Sequence, residues 1–193
     1  MQNEQIESLD VLIVGAGISG LGMCYNLKKK RAHTSFAVIE GRENIGGTWD
    51  LFKYPGIRSD SDMYTFAYSF KPWTEKEYIG SAERINNYLN ELVRDENLDQ
   101  YIRFQQKVTA ANWDSSQNHW LVTVTRHDGS NYKIAANFLS CCSGYYNYEQ
   151  GYLSEKVNGQ YRLMDGMLKT VNVVALLTIF IACLGMFGLI SFM

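Results

Sequence analysis

The sequence predicts an α/β fold entered through a strand, a glycine turn and a helix, and two observations carry that prediction. An apolar run, Val11-Leu-Ile-Val14, meets glycines at 15, 17 and 20 and then passes into a helical pattern. A second short apolar run, Phe36-Ala-Val-Ile39, follows that helix and closes on Glu40. Strand, turn, helix and strand in this order make a βαβ start. Within the turn, Gly15 allows the bend, Gly17 lets backbone approach a phosphate without a Cβ in the way, and Gly20 lets the helix lie close on the strand. The helix N-terminus then offers unpaired N–H groups and a partial positive charge, so the expected occupant is the pyrophosphate of a dinucleotide.

Each element can be justified in turn. The first helix is expected over about Ile18 to Lys30, and the basic run Lys28-Lys-Lys-Arg31 at its end complements the helix dipole. Glu40 lies 20 residues beyond Gly20, where a second strand delivers a carboxylate to ribose hydroxyls. A carboxylate there suits an unphosphorylated ribose such as that of FAD or NAD. Residues 41–62 are rich in Gly, Pro, Asp and Ser yet carry Trp49, Phe52 and Tyr54, the composition of a binding loop. Over Ser81 to Asn97, Ile85, Tyr88, Leu89, Leu92 and Val93 follow helical spacing and make one apolar face for the core.

From Ile102 to Ala136 the period changes to two. Trp120, Val122 and Val124 fall on one face and Asp128-Gly129 supplies a turn, so a β-meander inserted between parallel strands is expected. Phe138-Leu-Ser-Cys-Cys142 then reads as a returning buried strand that ends at Ser143-Gly144, where backbone can again approach a ligand.

Composition narrows the function classes. The chain has 193 residues, 46% hydrophobic and 20% charged, enough for one domain of ordinary size. A net charge of -2 with no basic patch gives no reason to expect nucleic acid as a partner. Cys24, Cys141, Cys142 and Cys183 show no C-x-x-C spacing, and His33, His119 and His127 are dispersed, so no metal site and no disulfide scaffold is expected. Met1 to Asp10 is polar and holds no apolar stretch of the secretory type. The last 21 residues, 173–193, contain no charge. At ~1.5 Å per residue they span roughly the ~30 Å of a bilayer core. A transmembrane helix is the favoured reading over a buried core helix because no polar face interrupts the run. Lys156, Arg162 and Lys169 on its N-terminal side would place the preceding domain in the cytoplasm, whereas a basic flank after the run would favour the opposite orientation, so the topology stays open.

At Gly46-Gly-Thr-Trp-Asp-Leu-Phe-Lys-Tyr-Pro-Gly-Ile-Arg-Ser-Asp60 the chain resembles the Baeyer-Villiger monooxygenases. Their pattern is a glycine pair, a Trp two positions on, an aromatic-Pro-Gly five positions after the Trp, and an Asp four positions after that glycine. With Ser59-Asp-Ser-Asp-Met-Tyr64, Phe70-Lys-Pro-Trp73 and Cys142-Ser-Gly-Tyr-Tyr-Asn-Tyr148, the likeness narrows to the ethionamide-activating branch of the flavin-containing monooxygenases and covers residues 10–153. The resemblance implies a Rossmann-like, glutathione-reductase-like FAD-binding domain. In the family, FAD is reduced by NADPH and the flavin then oxygenates a small organic ketone, sulfide or thioamide through a C4a-peroxyflavin. Carried over by position, Gly15, Gly17, Ser19 and Gly20 would hold the pyrophosphate and Glu40 the adenosine ribose. Gly47, Thr48, Trp49, Asp50 and Asp60 would line the FAD, and Val108 would meet adenine through its backbone. Arg58, Ser59 and Asp60 would bring NADP against the flavin, with Arg58 and Asp60 as candidates for a part in catalysis.

The resemblance also implies parts that these 193 residues do not carry: a second G-x-G-x-x-G motif, a signature with His and Trp, and an arginine beside the flavin. The run Leu177 to Phe192 resembles a membrane helix of FtsX-like or MacB-like permeases. The expected division is therefore an unstructured start over 1–9, a truncated FAD-binding domain over 10–155, a junction over 156–172 and a membrane helix over 173–193. A fusion of two partial reading frames near Lys156 to Gly166 would produce it, and the alternative to a monooxygenase is then a membrane-tethered FAD-binding fragment or a non-functional fusion with no catalytic turnover.

Overall fold

Val11, Leu12 and Ile13 are apolar on consecutive positions, the pattern of a strand covered on both faces, and all three are buried. The computed structural model describes residues 6–144, and these form a six-stranded sheet in the order β3-β2-β1-β6-β5-β4. β1 (Glu7–Val14) lies between β2 (Phe36–Ile39) and β6 (Asn131–Cys141), parallel to both, with Ile13 opposite Val38 and Ser140. β3 (Ile102–Arg103) extends the parallel part beyond β2. β4 (Gln106–Asp114) and β5 (His119–Arg126) pair antiparallel, and β5 pairs antiparallel with β6.

Two apolar cores form, one on each face of the parallel strands. On one face Val11 and Ile13 pack with Leu21, Cys24 and Leu27 of α1 (Ile18–Lys30) and with Ile85, Leu89 and Leu92 of α4 (Ala82–Asp95). Burial there pushes the Cys24 thiol up to about 12. On the other face Leu9, Leu12, Ala37 and Ile39 pack with Val122, Val124, Ile134 and Ala136 of the meander. Ser81 starts α4 by accepting a hydrogen bond from the Arg84 N–H, and the expected apolar face is the one that is buried. A stack of Tyr25, Phe70 and Tyr68, with ring centroids 3.7 and 4.7 Å apart, pins the 67–73 segment onto α1.

The structure departs from the sequence reading in four places. β1 begins at Glu7, inside the start expected to be unstructured, because Glu7 pairs with Ile134 of β6 and its carboxylate takes both Arg103 guanidinium nitrogens at 2.5 and 2.6 Å. The meander is not a separate insertion before a returning strand. β6 is one strand that closes the meander on β5 with its first half and joins β1 with its second. Its second half is not buried throughout: Phe138 is 70% exposed, since α1 and α4 cover β1 and leave the β6 flank of that face open. The binding loop contains a short helix α2 (Thr48–Leu51), and a further short helix α3 (Met63–Phe66) is capped by Asp62, which accepts from the Thr65 N–H at 2.9 Å.

The expected junction at 156–172 and membrane helix at 173–193, with its likeness to permeases, lie outside the described residues. Among the described residues no helix is long and apolar enough to cross a membrane.

Candidate dinucleotide site

The site is built where β1 ends. Gly15 turns the chain with φ +102°, and its N–H donates to the Ile39 carbonyl at 2.8 Å. A Cβ at Gly15 would meet the Cys142 carbonyl oxygen at 2.6 Å, and one at Gly20 would meet the Gly15 oxygen at 1.9 Å. Both glycines are therefore demanded by backbone that cannot give way. Gly17 begins α1 in extended conformation with no side-chain cap, so the first N–H groups of the 13-residue helix are available to an anion. Ser19 is exposed in that first turn and Gly20 is buried in it.

A second glycine turn faces the first. The Gly46 N–H donates to the Ala16 carbonyl at 3.0 Å, and a Cβ at Gly47 would lie 3.1 Å from the Gly17 Cα. Gly46 and Gly47 adopt φ +109° and +54°. Two backbone turns thus meet with no side chain between them.

Glu40 is 8% exposed and lies between the turns. Its Oε2 accepts the Ala16 N–H at 2.7 Å and its Oε1 accepts the Arg42 N–H at 3.0 Å. A carboxylate has about four acceptor positions, so two remain for ribose hydroxyls. Just past Glu40, the Gln106 N–H donates to the Glu40 carbonyl and the Gln105 N–H to the Arg42 carbonyl, each at 3.0 Å. The half-buried Val108 stands two residues further along β4, and a register shift between Val108 and Ala110 bends the strand there. A cavity of about 510 Å³ opens at this junction, lined by Gly41 and Arg42 on one side and Lys107 and Thr109 on the other.

The remaining candidates divide. Thr48 and Trp49 are half-buried behind the second turn, Trp49 edge-on to Phe66 with centroids 5.9 Å apart. Asp50 is buried and bonded to protein. Ser59 is also buried, and both its main chain and its hydroxyl are engaged with Gly80, at 2.8 and 3.1 Å, so it fastens its loop to the start of α4. Arg58 and Asp60 on either side of it are exposed. The structure brings Gly15 against Gly20 and Gly17 against Gly47 by direct contact, with Glu40 bonded to Ala16 between the turns and Val108 near the Glu40 end; Arg58, Ser59 and Asp60 belong to a separate loop. Sequence reasoning missed Arg42 and Asn86. Arg42 stands two residues beyond the strand-end acid and bonds the Gly47 carbonyl at 3.1 Å and Asp50. Asn86 looks like any polar residue of α4, and no spacing marks either.

Residues 13–78 match the family described as an NAD(P)-binding Rossmann-like domain. The chain is 50% identical over 149 residues to the FAD-containing monooxygenase EthA of Mycolicibacterium smegmatis, a match covering 77% of this chain and 30% of that protein. It is 49% identical over 144 residues to the probable FAD-binding monooxygenase AlmA of Acinetobacter baylyi, covering 75% and 29%. Among solved structures it is similar to an oxidized steroid monooxygenase bound to NADP, with TM-score 0.63, 30% identity, and 71% and 26% of the two chains covered. It is likewise similar to OTEMO in complex with FAD and NADP, with TM-score 0.63, 27% identity, and 72% and 26% covered. The chain thus spans about three tenths of the length of the curated relatives it matches, and those relatives are an FAD-containing and a probable FAD-binding monooxygenase.

Proposed function

We propose that residues 10–144 form the FAD-holding part of a monooxygenase of the Baeyer-Villiger type, one that uses NADPH and oxygenates a small organic ketone, sulfide or thioamide. The observation that carries the reading is the pair of glycine turns in contact, with the buried Glu40 fastened between them. The bare backbone of Gly15, Gly17 and Gly47 and the first N–H groups of α1 would take the pyrophosphate, with Ser19 at hand in the same turn. Glu40 would accept from the adenosine ribose. The cavity between Arg42 and Lys107, beside Val108, has room for the adenine. When bound, the flavin supplies the redox and oxygen chemistry, and these residues supply position and exclude water. Thr48 and Trp49 are the side chains next in line toward its ring, and Arg58 and Asp60 are the exposed groups that would face NADP.

Titrating the 193-residue chain with FAD while following quenching of flavin fluorescence tests the reading. Saturable one-to-one binding that Glu40→Gln weakens about tenfold is expected, and failure to bind FAD overturns it. Addition of NADPH to the loaded chain is expected to give no oxidation above that of free FAD, because the chain carries a single G-x-G-x-x-G motif and hydride transfer demands a second nucleotide held in register.

The uncharged run 173–193 favours a further part of the reading, a membrane tether. The full chain is expected to stay with membranes through an alkaline carbonate wash and a chain ending at 172 to be released by it. Equal release of both would remove the tether.

A further inference from the structure

We propose that Asp50 acts on the FAD cradle at second hand, as the hub of a clamp with Arg42 and Asn86 that fixes the Gly46–Gly47 turn against Gly17. The inference rests on the FAD reading above and changes the role that the sequence suggests for Asp50, a direct contact with the cofactor. Asp50 is only 7% exposed, and protein groups meet both of its carboxylate oxygens. Oδ2 accepts from Arg42 Nη2, while Oδ1 lies 3.2 Å from Lys53 Nζ and 3.5 Å from Asn86 Nδ2. A buried carboxylate with two cationic partners has its charge compensated by the protein itself, and an anion of this kind would repel a diphosphate rather than hold it.

Arg42 carries the grip forward. Its Nη1 donates to the Gly47 carbonyl at 3.1 Å, and its own N–H donates to Glu40 Oε1 at 3.0 Å. One residue therefore joins the Glu40 carboxylate, the second glycine turn and Asp50. Asn86 closes the clamp from α4: its Oδ1 is buried without a hydrogen-bond partner and lies 2.2 Å from where a Cβ on Gly46 would stand. The amide is pressed onto bare Cα. Gly47, with φ +54° and ψ -122°, sits in a conformation open to glycine without strain but is free to leave it, so its place against Gly17 has to be held by its neighbours. The clamp provides that hold, and its far end is the contact between Gly47 and Gly17.

The test uses the full chain and calorimetric titration with two probes, FAD and ADP. Both contain the pyrophosphate, and only FAD contains the flavin ring. Asp50→Asn is expected to weaken the two by the same factor, about tenfold or more. Arg42→Gln should do likewise, and the double variant should be no weaker than the weaker single, since residues acting as a unit are not additive. Loss of FAD binding with ADP unchanged would place Asp50 on the flavin half and overturn the clamp, as would losses that multiply in the double variant. If Asp50→Asn fails to fold, as judged by its thermal melt, Arg42→Lys decides: the charge stays but the fork that reaches Asp50 and Gly47 together is gone. Wild-type affinity for ADP in Arg42→Lys would overturn the clamp. A wild-type chain that binds neither probe would instead sink the FAD reading, and the clamp with it.

Discussion

Gly20 and Gly129 show why one residue type has two different meanings in this chain. A methyl group at Gly20 would stand 1.9 Å from the Gly15 carbonyl oxygen, a backbone atom at the centre of the turn, whereas one at Gly129 would meet nothing within 4 Å. The first glycine is required by space and the second only by its φ of +81°. Gly20→Ala is therefore expected to cost on the order of 3 kcal/mol in urea unfolding and to abolish FAD binding. Gly129→Ala, in the turn before β6, should cost about 1 kcal/mol and leave binding as it was. Equal losses in the two variants would contradict this account. The sequence identified Gly20 by its place in the motif, but the atom it must avoid is visible only once the turn is folded.

At the scale of elements, the first and third strands are tied by charge as well as by the sheet. Glu7 opens β1 and Arg103 ends β3, and their bidentate pair is about one third exposed on each side. Hydrogen bonding to Arg103 holds the Glu7 carboxyl below its usual range, against the opposing effect of burial. A carboxyl whose folded pKa is depressed adds stability above its unfolded value, about 4.3, and loses it as pH falls through the folded one. The difference in melting temperature between wild type and Glu7→Gln should therefore be full at about pH 6 and shrink as the pH falls below about 4.3. A difference that grew with acid would reverse the assignment. β6 carries the other lesson at this scale. Its alternation and its apolar end look like two strands in sequence, and they are one, because a strand can pair antiparallel along half its length and parallel along the other.

At the scale of the molecule, the described residues hold two cores that share the same strands. Trp73 belongs to the core with α1 and α4, and Trp120 packs against the one beneath the meander. Leu12 and Ile13 are neighbours in β1 and are fully buried in opposite cores, so neither core can open without unpairing β1. In single-tryptophan variants keeping only Trp73 or only Trp120, tryptophan fluorescence and far-UV circular dichroism are expected to give the same denaturant midpoint within each variant. Separate midpoints would show that the meander unfolds on its own.

The sequence by itself determined the βαβ entry, the extent of α1, the apolar face of α4, the period-two meander and the acid after β2. Each is a local matter of glycine sterics, helical or strand period and cap chemistry, and neighbours in the chain are enough to express it. Tertiary structure alone decided that Gly47 comes to rest on Gly17, that Glu40 spends two of its acceptor positions on Ala16 and Arg42, and that Asp50 turns inward to Arg42 and Asn86. These depend on which segments, dozens of residues apart, are brought within a few ångströms, and hydrophobic periodicity carries no record of hydrogen-bond partners at that separation.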